Sequence, residues 1–151
     1  MKHTLLKTLA LSACLAFTGP AMADDDDDDK KLGAAGLLSG SNKADLPEVI
    51  LSVGEPLGGP WELKSGTYYE VEFTADGSGE IGLDISELSR AVWMDEIVIE
   101  GLEIRPYGVE SIEFDDAGTM EIGFVAVKPG RYTIRIPGST GESQKLDIEI
   151  K

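Results

Sequence analysis

The end of the chain alternates apolar and polar residues, and this pattern constrains the fold more than any other feature. In the segment 131–136, one tyrosine and two isoleucines fall on one face, and arginine and threonine fall on the other. A period of two is typical of a strand with one buried face. The segment 146–150 alternates in the same way, and 120–127 is a third apolar run. Proline- and glycine-containing turns separate the three segments. This region therefore predicts consecutive β-strands.

Short strand-like segments also fill the chain from residue 48 onward, and only 86–93 suggests a short helix. Eight or nine short strands with no long helix indicate an antiparallel sandwich or barrel. We predict an all-β domain over 48–151, an antiparallel Greek-key β-sandwich. Its expected core comprises Tyr69, Val71, Phe73, Ile112, Phe114, Ile122, Phe124, Tyr132, Ile134, Ile148 and Ile150.

The first residues have the composition of an export signal. Basic residues are followed by a short apolar run and by the small-x-small site Ala21-Met22-Ala23. This pattern predicts a signal peptide over 1–23, cleavage after Ala23 and a periplasmic protein of a Gram-negative bacterium. The run before Cys14 also has the form of a lipoprotein box. In that alternative, Cys14 carries lipid and the protein is attached to a membrane.

An acidic segment follows the predicted signal. Residues 24–29 are six consecutive aspartates, and glycine, alanine, serine and asparagine are frequent after them. Closely spaced like charges repel one another and oppose folding. We therefore predict a disordered acidic arm over 24–47. Carboxylates of such an arm could collect divalent cations weakly, since ordering entropy opposes tight binding.

The charge balance excludes some partners and favours others. The chain has 28 acidic and 13 basic residues, with a formal net charge of −15. Nucleic acid is not expected, because phosphate backbones need basic patches. Basic proteins and cations are the partners that a negative field attracts.

The residue types available after the signal limit the chemistry. His3 and Cys14 are the only histidine and cysteine, and both leave with the predicted signal. The mature protein then has no thiolate or imidazole to serve as nucleophile, neutral-pH base or metal ligand. We therefore expect no enzyme, no catalytic residues, and no assigned cofactor or metal site.

One segment has the spacing of a calcium-binding loop. Residues 76–87 place side-chain oxygens at loop positions one, three, five, nine and twelve. The glycine that such a loop needs at position six is Ile81, and strands rather than helices precede it. A turn with exposed carboxylates is the preferred interpretation.

Trp93 and Met94 are the candidate contact residues. Both precede a predicted strand, where a sandwich has its end loops. If exposed, they would form a contact patch for a protein partner. If buried, they would cap the core, and we favour this interpretation.

The segment 128–138, Lys-Pro-Gly-Arg-Tyr-Thr-Ile-Arg-Ile-Pro-Gly, resembles the closing strand and loop of the cupredoxins, the small blue-copper proteins. The resemblance extends over residues 48–151 and implies the fold and a periplasmic location. The family's copper is held by a histidine before a middle strand and by Cys, His and usually Met in the last loop. Here Met94, Asp95 and Glu96 precede the middle strand, and the loop 137–144 lacks Cys, His and Met.

These observations predict a non-catalytic periplasmic binding module that lacks a type 1 copper site and docks on a protein partner through its end loops. The alternative is a metal-binding or electron-transfer protein with non-standard ligands. Met94, Met120 and carboxylates would then hold copper, or acidic residues would hold calcium-like ions. Since Met120 is in phase with Ile122 and Phe124, we expect it to pack in the core.

Overall fold

The computed structural model describes residues 36–151, which form two β-sheets packed face to face. The strands are β1 (Lys43–Asp45), β2 (Val49–Leu51), β3 (Trp61–Leu63), β4 (Tyr68–Ala75), β5 (Ile81–Asp84), β6 (Val92–Ile99), β7 (Leu102–Ile104), β8 (Ser111–Phe114), β9 (Gly118–Ala126), β10 (Gly130–Arg135) and β11 (Lys145–Ile150). A short helix, α1 (Ser86–Ser89), precedes β6, and 3-10 turns span Gly40–Asn42 and Glu142–Gln144.

The first sheet has the strand order β1-β4-β9-β6-β7, and β2 also pairs with β4. The second sheet has the order β3-β11-β10-β5-β8. The predicted all-β sandwich is confirmed. It is not purely antiparallel, because β1 and β2 run parallel to β4, and β3 runs parallel to β11. These strands come from the first part of the domain, and no hairpin links them to their partners, so no turn imposes an antiparallel direction.

The ordered domain begins before residue 48. Strand β1 pairs with β4 from Lys43↔Tyr68 to Asp45↔Glu70, and the Asn42 side-chain amide donates to the Gly66 carbonyl at 2.8 Å. The prediction of a disordered arm up to residue 47 is therefore wrong for this part. The polar composition of β1 did not predict a strand. A three-residue edge strand is held mainly by backbone pairing, and its side chains bury little area. The predicted signal, the aspartate run and Cys14 lie outside the described residues.

The core lies between the sheets and follows the alternation of the strands. Eight predicted core residues are buried, whereas Ile112, Phe114 and Tyr132 are partly buried at its periphery. Trp61 of the second sheet meets Phe73 of the first with ring centroids 6.4 Å apart. Within residues 36–151, no helix is long and apolar enough to cross a membrane.

Candidate functional site

The two residues proposed as a contact patch point in opposite directions. Both lie within β6, not in a loop before it. Met94 faces the core and is 4% exposed, so it cannot contribute to a surface patch as the strand stands. Trp93 lies on the outer face and is 48% exposed. Alternation in a strand separates neighbours in this way, and Trp93 alone remains a candidate contact residue.

The outer face of the first sheet carries three clustered carboxylates, which we call the carboxylate group: Glu70, Glu96 and Glu121. Their oxygens lie within 4.8 Å of one another, and all three side chains are partly buried. Strand register explains the cluster, because Glu70 and Glu96 both pair with Gly123 on the central strand β9, two residues from Glu121. A β-bulge between Met94 and Glu96 places the extra residue Asp95 beside the cluster.

Basic side chains flank the carboxylate group on both sides. Lys43 of β1 forms an ion pair with Glu70. Arg105, which follows β7, reaches Asp95 at 3.2 Å and Glu96 at 3.0 Å. The protein's own cations therefore balance part of the negative charge. Sequence reasoning did not find this arrangement, because its members are far apart in the chain and only the strand register brings them together.

Tyr68 lies across Gly123 and joins the carboxylate group from one side. Its ring is buried, and its hydroxyl donates to Asp95 at 3.3 Å and to Glu96 at 3.4 Å. Burial, followed by the charge of Glu96, raises the pKa of Tyr68 well above its usual range. The phenol is therefore a neutral hydrogen-bond donor at physiological pH and not a base.

The position of Glu121 in the carboxylate group disfavours its ionised form. Burial, and then the charge of Glu70, raises the pKa of its carboxyl. Ionised Glu121 is thus less favourable in the folded state than in the unfolded chain. The resulting penalty is absent below its unfolded pKa and fully present above its folded pKa.

We expect Glu121→Gln to raise the free energy of unfolding at pH 7 by about 0.5 kcal/mol, the size of a like-charge pair across strands. The gain over the parent protein should fade as the pH falls through the pKa of Glu121. Urea denaturation at several pH values measures it. Glu48→Gln, an exposed change outside the group, is the control. An equal gain at every pH would contradict the electrostatic explanation.

A second acidic cluster includes Glu80, which belongs to the segment 76–87 that has the spacing of a calcium-binding loop. Glu80, Glu113 and Asp115 are exposed and lie close together, and the charge of Glu80 raises the pKa of Glu113. Strand β5 runs through the middle of the segment 76–87, so its oxygens do not encircle one point. The Asp76 carboxylate instead accepts bonds from the Ser52 hydroxyl and the Ser78 amide. The turn interpretation agrees with this arrangement.

The loop 137–144 closes on itself through the backbone. The Ile136 amide donates to the Gln144 carbonyl at 3.0 Å, and the Gln144 side chain donates to the Glu55 carbonyl at 2.8 Å. The polar side chains of this loop carry only hydroxyl, carboxylate and amide groups. Met120, like Met94, is buried in the core, 3% exposed, as its strand phase predicted.

The open edge of the sandwich carries an apolar cleft of about 390 Å³. We call it the edge cleft; it is lined on one side by Ile99 and Met120 of the first sheet and on the other by Ile112 and Phe114 of the second. Glu100, Glu113, Asp115 and Asp116 also line it. Sequence reasoning missed this feature because it assigned the inward-facing residues of β8 to a closed core.

Solved structures resemble this fold, although no protein-family model and no curated protein matches the sequence. A multicopper oxidase from Pseudomonas thermotolerans is similar with a TM-score of 0.52 and 14% identity, over 74% of this chain and 30% of that chain. A copper nitrite reductase and a blue copper oxidase, both from Nitrosomonas europaea, have TM-scores of 0.48 and identities of 13% and 12%. Each covers 63% of this chain, which spans 33% and 31% of theirs.

The chain therefore has a cupredoxin-like fold, as its closing strand and loop predicted. It spans about a third of the length of these solved structures. At such low identity, the likeness concerns the fold and not the reactions of the longer proteins.

The residues of the domain do not fit a blue-copper centre, the metal site that a cupredoxin-like fold implies. A blue-copper site uses one thiolate and two imidazoles, with a weak axial ligand. Residues 36–151 contain neither cysteine nor histidine. Met94 and Met120 both face the core, on different strands. The donor set that remains at the surface consists of oxygens, which suit hard cations rather than copper.

Proposed function

We propose that this chain is a non-catalytic, periplasmic interaction module of cupredoxin-like fold that lacks a type 1 copper site. The observation that carries the proposal is the donor set. The domain keeps the sandwich, but its residues offer no imidazole or thiolate, and its two methionines pack inside. A fold without the ligands of its redox centre is left with its surfaces as the means of acting.

The surface supports a protein partner of basic character. Trp93 is a half-exposed aromatic side chain, and aromatic anchors are frequent in interfaces. The net charge of −15 favours a basic partner and disfavours nucleic acid and anionic lipid. The predicted signal over 1–23 supports the periplasmic location, and a lipid on Cys14 would tether the same module to a membrane.

Metal content tests the proposal. The protein is exported, purified without added metal and analysed for copper, zinc and iron. We expect far less than one equivalent of each, because no site among residues 36–151 combines soft ligands. A stoichiometric, tightly held copper ion would overturn the proposal. Intact mass of the same sample shows whether the chain begins at Asp24 or at a lipidated Cys14.

A calcium-like ion at the carboxylate group is the second candidate. Three carboxylates with oxygens within 4.8 Å favour it, while the ion pairs of Lys43 and Arg105 oppose it. Because these cations already balance the group, we expect millimolar Ca²⁺ to change the melting temperature by less than about 1 °C. A rise of several degrees that Glu96→Gln abolishes would favour the second candidate.

A further inference from the structure

At the edge where the cleft opens, the first sheet leaves apolar side chains of its inner face uncovered. Ile104 pairs with Ile97, and Leu102 pairs with Ile99, so these side chains share the inner face of the first sheet. Ile97 is 5% exposed, whereas Ile104 is 41% and Leu102 is 63% exposed. Cross-strand partners on one face normally share one environment. Nothing among residues 36–151 covers the inward-facing side chains of β7.

The second sheet ends at β8, one side of which has no strand partner within the described chain. β8 pairs with β5 only, and it is the last strand in its sheet. An edge strand presents amide and carbonyl groups to any extended segment that approaches it. A strand added beside β8 would extend the second sheet toward the uncovered side chains of β7. Its inward side chains would fill the edge cleft beside Ile99 and would reach toward Leu102, the cross-strand partner of Ile99 on β7.

The rim of the cleft defines the charge of the segment that fits. Four acidic residues line the cleft, and no basic residue lines it. Arg105, which follows β7, is engaged by Asp95, Glu96 and Glu103 on the outer face of the first sheet. The raised pKa of Glu113 reflects the crowding of negative charge beside it. A segment with basic side chains on its outer face would relieve this crowding.

We propose that the edge cleft binds an extended segment of a partner protein, in which lysine or arginine alternates with apolar residues, as an added strand beside β8. Apolar side chains of the segment face the cleft, and its basic side chains face the acidic rim. Main-chain bonds to β8 supply affinity and the pockets supply specificity, as in other strand-addition complexes. The inference rests on the proposed function, because it names the partner chemistry of the interaction module.

A second copy of this chain fits the cleft less well than a basic segment does. β8 and its surroundings are acidic, and the chain as a whole has a net charge of −15. Pairing β8 with β8 would bring two acidic rims together, which costs free energy. The chain's own residues Lys30 and Lys31 follow six aspartates, so the stretch that carries them is acidic as a whole and fits the cleft less well than a basic segment does.

The test uses the chain from Asp24 and a synthetic eight-residue peptide in which lysine alternates with valine. We expect binding by calorimetry with a Kd of roughly 10–100 μM. Within Ser111–Phe114, the alternate backbone amides that point away from β5 should gain protection from hydrogen exchange. A peptide with glutamate in place of lysine should bind at least about tenfold more weakly. A lysine peptide N-methylated at alternate amides should lose a similar factor, because it cannot complete the strand pairing.

A matched pair of variants locates the site. The double variant Leu102→Ser with Ile104→Ser should weaken binding of the lysine peptide about tenfold. Both side chains are exposed, so folding should survive, which circular dichroism checks. The control is Leu38→Ser with Val127→Ser, which removes exposed apolar side chains away from the cleft. It should change the Kd less than about twofold.

Four results would overturn this docking mode. The first is no binding of the lysine peptide, and the second is equal binding of the glutamate peptide. The third is protection of Ser111–Phe114 in the free chain that disappears when 24–35 are deleted, and the fourth is a dimer in sedimentation that the double variant Leu102→Ser with Ile104→Ser dissociates. The third would make the chain's own segment the occupant, and the fourth a second copy. Metal content tests the proposed function separately. A metal-free protein that does not bind the lysine peptide would therefore refute only the docking mode.

Discussion

Replacing Phe124 by alanine is expected to lower the free energy of unfolding by about 3–5 kcal/mol. Phe124 lies in β9, the central strand of the first sheet, and is fully buried. It pairs with Tyr69 on one side and Met94 on the other, with the Tyr69 ring centroid 5.9 Å away. The cavity left by the ring would adjoin both neighbouring strands and the facing sheet. Urea denaturation monitored by circular dichroism measures the loss.

Phe114→Ala is the matched control, since it removes the same side chain from the edge strand β8. Phe114 is only partly buried, and it lines the edge cleft. We expect a loss of about 1–2 kcal/mol, because less area leaves water when this ring packs. Equal losses for Phe124→Ala and Phe114→Ala would contradict the position of the core.

Gly123→Ala is expected to lower the free energy of unfolding by about 2 kcal/mol. A methyl group at this position would overlap the Tyr68 hydroxyl and lie 3.0 Å from the ring carbon that bears it. It would also lie 3.2 Å from Cγ of Glu96. Tyr68 would have to leave Gly123, and its hydrogen bonds to Asp95 and Glu96 would be lost. Where no such obstruction exists, replacing a glycine in a strand by alanine usually stabilises the protein.

Two further variants separate this steric effect from a general effect of glycine. Gly82→Ala in β5 meets its nearest atoms at 3.6 Å, an ordinary contact, so we expect it to be neutral or slightly stabilising. In a Tyr68→Ser background, Gly123→Ala should cost at least about 1 kcal/mol less than in the parent. If the cost is unchanged, Tyr68 is not the cause.

Much of the fold could be predicted from local patterns. Strict alternation in β4, β10 and β11 identified strands and their buried faces, because one face of each meets the core. The Pro-Gly turn before Tyr132 and the closing strand suggested the cupredoxin-like fold, which the solved structures support. Met120 was placed in the core by its phase with Ile122.

What the sequence did not reveal depends on partners distant in the chain. β1 has three residues and no apolar pattern, so only its pairing with β4 makes it a strand. The carboxylate group needs the register of β4, β9 and β6, which no local pattern encodes. Ile112 and Phe114 alternate like core residues, yet β8 is an edge strand and leaves them partly open. Periodicity indicates which face is inward, but not whether another strand covers it.

The position of Trp93 and Met94 illustrates the same limit. Their hydrophobicity suggested that they act together, whether as a patch or as a cap. The strand that contains them places Met94 inside and Trp93 outside. This arrangement removes Met94 from the candidate contact residues and also from the accessible soft ligands of copper.

Titration with Cu(II), followed by visible absorption, is the most direct test of the central claim. The intense band of a blue-copper protein, at roughly 600 nm, needs a thiolate bound to copper, together with imidazoles. The chain from Asp24 has neither. We predict no such band at any ratio of copper to protein, and only weak uptake by carboxylates. A saturable band at one equivalent of copper, with tight binding, would contradict the account of a cupredoxin-like module without a type 1 site.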